Sequence, residues 1–236
     1  WKRSGHGSLN VRGAIMNWCN YYFAEMGYRM GMDTLRKYYA DFGLGSPTGI
    51  EIGDAAGRLP SQSEGENLAP WAAFGQANQL YTPLQLANYI ATLSGGGDRY
   101  TTHLLKNVRE SGTGALEYVY DAEPVQTIEM SEENLSAVLA GMHDLATDGA
   151  VSSYFKDCIV DAAAKTGTVQ TGDTKNNNGA FVCFAPYDDP QIAAAIVIEK
   201  GGTGAALAST AVQVLNAYFS NASANTTVTG ENTLLG

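Results

Sequence analysis

Ala162-Ala163-Ala164-Lys165-Thr166-Gly167-Thr168-Val169, then a Gly- and Asn-rich stretch over 172–179, then Ala180-Phe181-Val182-Cys183-Phe184-Ala185: the fold of this chain is decided here. Short apolar runs separated by turn residues read as strands, so Ala162 to Thr171, Ala180 to Ala185 and Gln191 to Lys200 are expected to form an antiparallel meander. Gly172 to Gly179 and Asp188-Asp189-Pro190 supply its turns. Lys165-Thr166-Gly167-Thr168 sits on the first strand, and each residue type suits a strand edge that receives a carboxylate. The ammonium attracts the anion, the Thr166 hydroxyl donates to it, and Gly167 lets a ligand backbone approach closely. A Lys-Thr-Gly triplet is common by itself, so its weight depends on what surrounds it.

With 236 residues, 44% of them hydrophobic, the chain is long enough to bury roughly 70–75% of its unfolded surface in one globular domain. Twenty-four acidic against 14 basic residues give a net charge of −10, which opposes nucleic-acid phosphates and anionic lipid. No nucleic-acid partner is expected. Cys19, Cys158 and Cys183 are far apart and contain no C-x-x-C, so they read as free buried thiols rather than disulfides or zinc ligands. No apolar run approaches the ~18 residues of a membrane span, and no signal-peptide pattern opens the chain.

Outward from the meander, Ile15, Cys19, Tyr22, Phe23 and Met26 recur at three- and four-residue steps and predict a helix from Val11 to about Gly27, with Asn20 on or beside the apolar face. Met32 to Phe42 predicts a second helix, ended by Gly43 and Gly45-Ser46-Pro47. Thr82-Pro83-Leu84-Gln85 is a helix start with N-cap, first-turn proline and capping box, running to Leu93 before Gly95-Gly96-Gly97. Another helix is expected from Ser131, with Glu132 and Glu133 in its first turn, to about Ala146. After Gly204 a last helix should bury Leu207, Ala211, Val214, Leu215 and Tyr218. The domain is expected over 1–220, with a disordered Asn/Thr/Ser-rich tail at 221–236.

The order and spacing of these segments resemble the transpeptidase domain of class B penicillin-binding proteins. The resemblance runs from about Gly5 to Phe219. It rests on Lys165 to Thr168, Ala180 to Pro186, Phe74-Gly75-Gln76, Tyr81 to Ala87, His6-Gly7-Ser8, Gly57-Arg58-Leu59-Pro60 and Gly201-Gly202-Thr203-Gly204. It implies an α/β (α+β) domain of the β-lactamase/transpeptidase type, with an antiparallel sheet flanked by helices. It also implies a serine acyl-enzyme mechanism built on S-x-x-K, S-x-N and K-T-G boxes. Lys165, Thr166 and Gly167 match the third box, and the backbone N–H of the residue matching Thr168 is one oxyanion donor. Asn20 matches the Asn of the second box, where its amide orients substrate. Trp18 stands where the family has the box serine, and an indole cannot relay that serine's proton.

The first box is expected well before Asn20, yet the one literal S-x-x-K is Ser153-Tyr154-Phe155-Lys156, downstream of Asn20 and a few residues ahead of Lys165. That context suits a surface helix end better than a nucleophile. Together with a start at Trp1 rather than Met, it predicts a piece of a longer chain whose nucleophile lies elsewhere. The resemblance implies peptidoglycan stem peptides and β-lactams as ligands and the extracytoplasmic face of a bacterial membrane as location, with the parent protein anchored there. It also implies that the Gln191–Lys200 strand pairs with a missing N-terminal strand, so that edge is expected to be open and to self-associate. A hydrolase on the same fold and a non-catalytic binding module are the alternatives; no deacylating Glu is evident for the first, while Trp18 favours the second. Gly201-Gly202-Thr203-Gly204 lacks the remaining residues of a phosphate loop, and His6, His103 and His143 lack metal-pair spacing, so neither cofactor nor metal is expected.

Overall fold

The structure is a computed structural model that describes residues 5–61, 67–170 and 177–224. Its helical half opens with α1 (Val11–Met16), capped by the Asn10 side chain, which accepts from Gly13 N. There follow α2 (Asn20–Asp41), α3 (Ala69–Ala73) and α4 (Pro83–Ser94). Two small ribbons come next: β1 (Asp98–Arg99) pairs with β4 (Gln126–Thr127), and β2 (Asn107–Arg109) pairs with β3 (Leu116–Val119). Helices α5 (Glu132–Thr147) and α6 (Ser152–Phe155) lead into the main sheet of β5 (Ala163–Val169), β6 (Asn178–Ala185) and β7 (Ile192–Ile198). A 3-10 turn at Gly204–Leu207 then runs into α7 (Ala208–Ala224).

The helix expected from Val11 to Gly27 is broken. Trp18 takes φ 51°, a left-handed conformation that cannot continue a right-handed helix, and α2 starts afresh at Asn20. The segments before and after residue 31 merge into α2 across a kink at Gly31, where φ is 75°. The α4 start is as expected: Thr82 Oγ1 accepts from Gln85 N, and Gln85 Oε1 accepts from Thr82 N. Gln85 does more than cap. It is 1% exposed, and its Nε2 donates to Ser46 O and Ala56 O, tying the long loop before α3 to α4.

The main sheet is antiparallel in the order β5-β6-β7, with Lys165 opposite Val182 and Val182 opposite Ala195. Side-chain alternation divides the core between its faces. Ala162, Ala164, Phe181, Cys183 and Ala185 pack against Leu207, Ala211 and Leu215 and against Phe155 of α6. Ala163 and Phe184 pack on the other face against Ile15, Ile90, Leu93 and Met142. Burial pushes the Cys183 thiol up to about 12, as expected of an inert core sulfur, and all three cysteines are free.

Two expectations for α7 need correcting. Val214 and Tyr218 are 41% and 42% exposed, because the buried seam runs through Ala208, Ala211, Val212, Leu215 and Phe219 instead. The helix also continues to Ala224, past the expected start of the tail; residues 225–236 lie outside the described residues, as does much of the turn expected between β5 and β6.

Candidate active site

Lys165 lies two residues beyond Ala163 on β5, and strand parity turns it to the face covered by α1, α4 and α5. There it meets the turn between α1 and α2: Lys165 Nζ is 5.8 Å from the centroid of the Trp18 ring, within the range of a cation–π contact. Its hydrogen bond goes to Thr166 O at 3.2 Å. Burial lowers its pKa to about 8, and among the described residues no carboxylate offsets that desolvation. The site therefore holds an ammonium that has no anion beside it among the described residues and is still protonated at pH 7.

The Trp18 turn is tightly wound. Cys19 N donates to Ala14 O and Asn20 N to Trp18 O, and Cys19 is buried beneath the turn. A left-handed tryptophan costs about 1–2 kcal/mol, so surrounding contacts must hold it there. The ring remains 36% exposed over the lysine. Asn20 is the first residue of α2, two positions from Trp18, and is half-buried. The turn thus carries Trp18, with Asn20 two residues on, to the Lys165 side of the sheet, although Trp18 and Lys165 are 147 residues apart in sequence.

Thr166 and Thr168 leave β5 toward the opposite face from Lys165. Thr168 Oγ1 accepts from Gly204 N at 3.2 Å, which seats the 3-10 turn on the strand. Gly204 has to be glycine: an added Cβ would lie 2.2 Å from Gly167 O and 2.3 Å from Ala180 O. Gly167 is different, since a Cβ there would meet only ordinary contacts, Ala180 Cβ at 3.5 Å being the nearest. Among the described residues nothing in the fold itself requires a glycine at 167. Because Lys165 and Thr166 point to opposite faces, a ligand carboxylate reaches both side chains only across the free edge of β5.

That edge is defined by Gln76, in the loop after α3. Gln76 Nε2 donates to Thr168 O at 2.8 Å, so Thr168 O points away from β6. The N–H of a strand residue points to the same side as its own C=O, so Thr168 N also faces the free edge. An N–H beside a held ammonium can polarise a carbonyl oxygen while the ammonium takes an anion. The role of Gln76 was not legible in the sequence. Phe74-Gly75-Gln76 stood out only as a segment shared with the resembled family, and no local pattern signals a contact across 92 residues.

Ser153 is exposed on the four-residue α6. Its neighbour Phe155 packs with Phe181 on the sheet face away from Lys165, so Ser153 and Lys156 do not join the Lys165 cluster. A hollow of about 180 Å³ beside α6 includes Ser152, Lys156 and Asp161, and one of about 310 Å³ lies between α4 and Ala193; Lys165 lines neither.

The family model for the penicillin binding protein transpeptidase domain matches residues 1–219. Among curated proteins, the peptidoglycan D,D-transpeptidase MrdA of Haemophilus influenzae is 29% identical over 94% of this chain, and the matched region is 38% of the relative's length. Among solved structures, penicillin-binding protein 2B of Streptococcus pneumoniae superimposes with a TM-score of 0.82 at 24% identity, covering 90% of this chain and 39% of that one. Pseudomonas aeruginosa PBP2 superimposes with a TM-score of 0.80 at 27% identity, covering 92% of this chain and 51% of that one.

Proposed function

Since the chain belongs to the penicillin-binding protein transpeptidase domain family, we propose that it forms the substrate-carboxylate strand and one oxyanion donor of a serine D,D-transpeptidase that cross-links peptidoglycan. The ligand is a stem peptide ending in a free carboxylate, or a β-lactam that mimics it, and it lies along the free edge of β5. The observation that carries this reading is Lys165: an ammonium without a counter-anion among the described residues, beside a strand edge toward which Thr168 N points. Lys165 takes the carboxylate with Thr166, Gly167 gives the ligand backbone room, and Thr168 N–H stabilises the oxyanion of the tetrahedral intermediate. Asn20, two residues from Trp18 at the start of α2, orients the substrate backbone. On this reading the acylating serine is supplied from outside this set, and the packing of Phe155, two residues from Ser153, on the other sheet face supports it. The active groove faces the extracytoplasmic side of a bacterial membrane; among the described residues no helix is long and apolar enough to cross one.

A reversible binding module is the second reading, and Trp18 favours it, because an indole in place of the box serine cannot pass a proton to a leaving group. Intact mass after incubation with a β-lactam, beside equilibrium binding of an acylated D-alanyl-D-alanine peptide, tests both. Expected are Lys165-dependent peptide binding and no covalent adduct on this chain alone. A Lys165-dependent adduct would restore a serine of this chain as nucleophile. Peptide binding that survives Lys165→Ala unchanged would remove the proposed carboxylate site.

A further inference from the structure

The β5 edge, where the proposed ligand pairs, is already partly occupied. Gln76 Nε2 donates to Thr168 O at 2.8 Å and Gln170 N donates to Gln76 Oε1 at 3.4 Å, so one side-chain amide gives the edge a donor and an acceptor as a neighbouring strand would. Thr168 O and Gln170 N point the same way because strand residues two apart share a side. A peptide added to this edge uses those same groups, since strand addition depends on main-chain hydrogen bonds to an exposed edge.

Resting on the transpeptidase reading above, we propose that Gln76 is a specificity-determining residue, a surrogate strand that a ligand must displace from Thr168 O in order to place its own amide N–H there. Displacement makes the ligand's hydrogen bond an exchange: one amide N–H leaves Thr168 O as another arrives, and the net gain is small. Thr168 N is not engaged by Gln76, so the carbonyl end of a ligand binds without competition. Gln76 therefore taxes the N–H of the penultimate residue and leaves recognition of the terminal carboxylate untouched.

The test compares two probes that differ at one atom: N-acetyl-D-alanyl-D-alanine, and the analogue with an ester oxygen in place of the penultimate N–H. Both are titrated against the protein, against Gln76→Ala, and against Gln76→Met, which keeps side-chain length and packing but has no amide. Loss of the competitor should raise the preference for the N–H probe over the oxygen probe by roughly fivefold, the worth of one uncompensated hydrogen bond. A clasp that only stiffens the strand would weaken both probes alike, and an unchanged or reduced preference in the Met variant overturns the proposal. Failure of both probes to bind even the unaltered protein is a different outcome: it would sink the transpeptidase reading, and this inference with it.

Discussion

Replacing Lys165 with methionine should make the fold more stable. Methionine retains an unbranched chain of similar length but removes a charge that the native structure holds out of water. The lysine's pKa falls from 10.5 to about 8 through burial. Each pH unit of that difference corresponds to about 1.4 kcal/mol, which puts the cost of the charged lysine at no more than about 3.5 kcal/mol. Lys165 is only partly buried as a residue, so solvent offsets some of this, and a gain of about 1–3 kcal/mol is expected for Lys165→Met at pH 7. The pH dependence separates this from a packing effect. Below pH 8 the lysine is charged in both folded and unfolded chains, and the whole cost is present. Between pH 8 and 10.5 the folded chain releases its proton while the unfolded chain keeps it, so the native protein gains stability with rising pH. The advantage of the methionine variant should shrink across that window and vanish above it. Urea unfolding at pH 7, 9 and 10.5 reads the difference directly. A variant less stable than the native protein at pH 7, or one whose advantage is the same at every pH, would refute the claim that the site holds an unpaired, desolvated ammonium.

The same lysine sets the pH range for ligand: because the carboxylate needs the protonated form, affinity for acetyl-D-alanyl-D-alanine should be flat below about pH 8 and fall up to tenfold per pH unit above it, as calorimetry would show. At the Trp18 turn, Trp18→Gly should be about 1 kcal/mol more stable than Trp18→Ala, since both lose the indole but only glycine tolerates φ 51° freely; equal melting curves would argue against a left-handed residue there. Gly204→Ala should cost about 3 kcal/mol, because its Cβ would press on the carbonyls of Gly167 and Ala180, and a neutral result by denaturant unfolding would mean that the 3-10 turn does not sit on β5 as described. The outer edge of β7, next to no other strand among the described residues, should drive concentration-dependent self-association in ultracentrifugation, and Val197→Lys should suppress it.

What the sequence determined by itself was local. Short apolar runs and turn residues were enough for the β5-β6-β7 meander, and Thr82-Pro83 with Gln85 was enough for the start of α4, because such signals need only a few neighbouring residues. Residue types also singled out Lys165 to Thr168 as a candidate carboxylate strand, since carboxylate recognition and backbone approach demand particular chemistry, whereas Asn20 was a candidate through the family resemblance alone. The tertiary structure decided the rest. A helical period across residues 11–27 could not reveal that Trp18 turns left-handed, because the turn's backbone bonds, Cys19 N to Ala14 O and Asn20 N to Trp18 O, and the approach of Trp18 to Lys165 belong to no helical repeat. Val214 and Tyr218 carried the right period but lay beside the seam, whose angle is set by which face of α7 meets the sheet. The seating of α6 through Phe155 on the sheet face away from Lys165 and the reach of Gln76 to Thr168 depend on packing between distant segments. Contacts of that kind leave no periodic trace in a sequence, and here they determine which groups a ligand can meet.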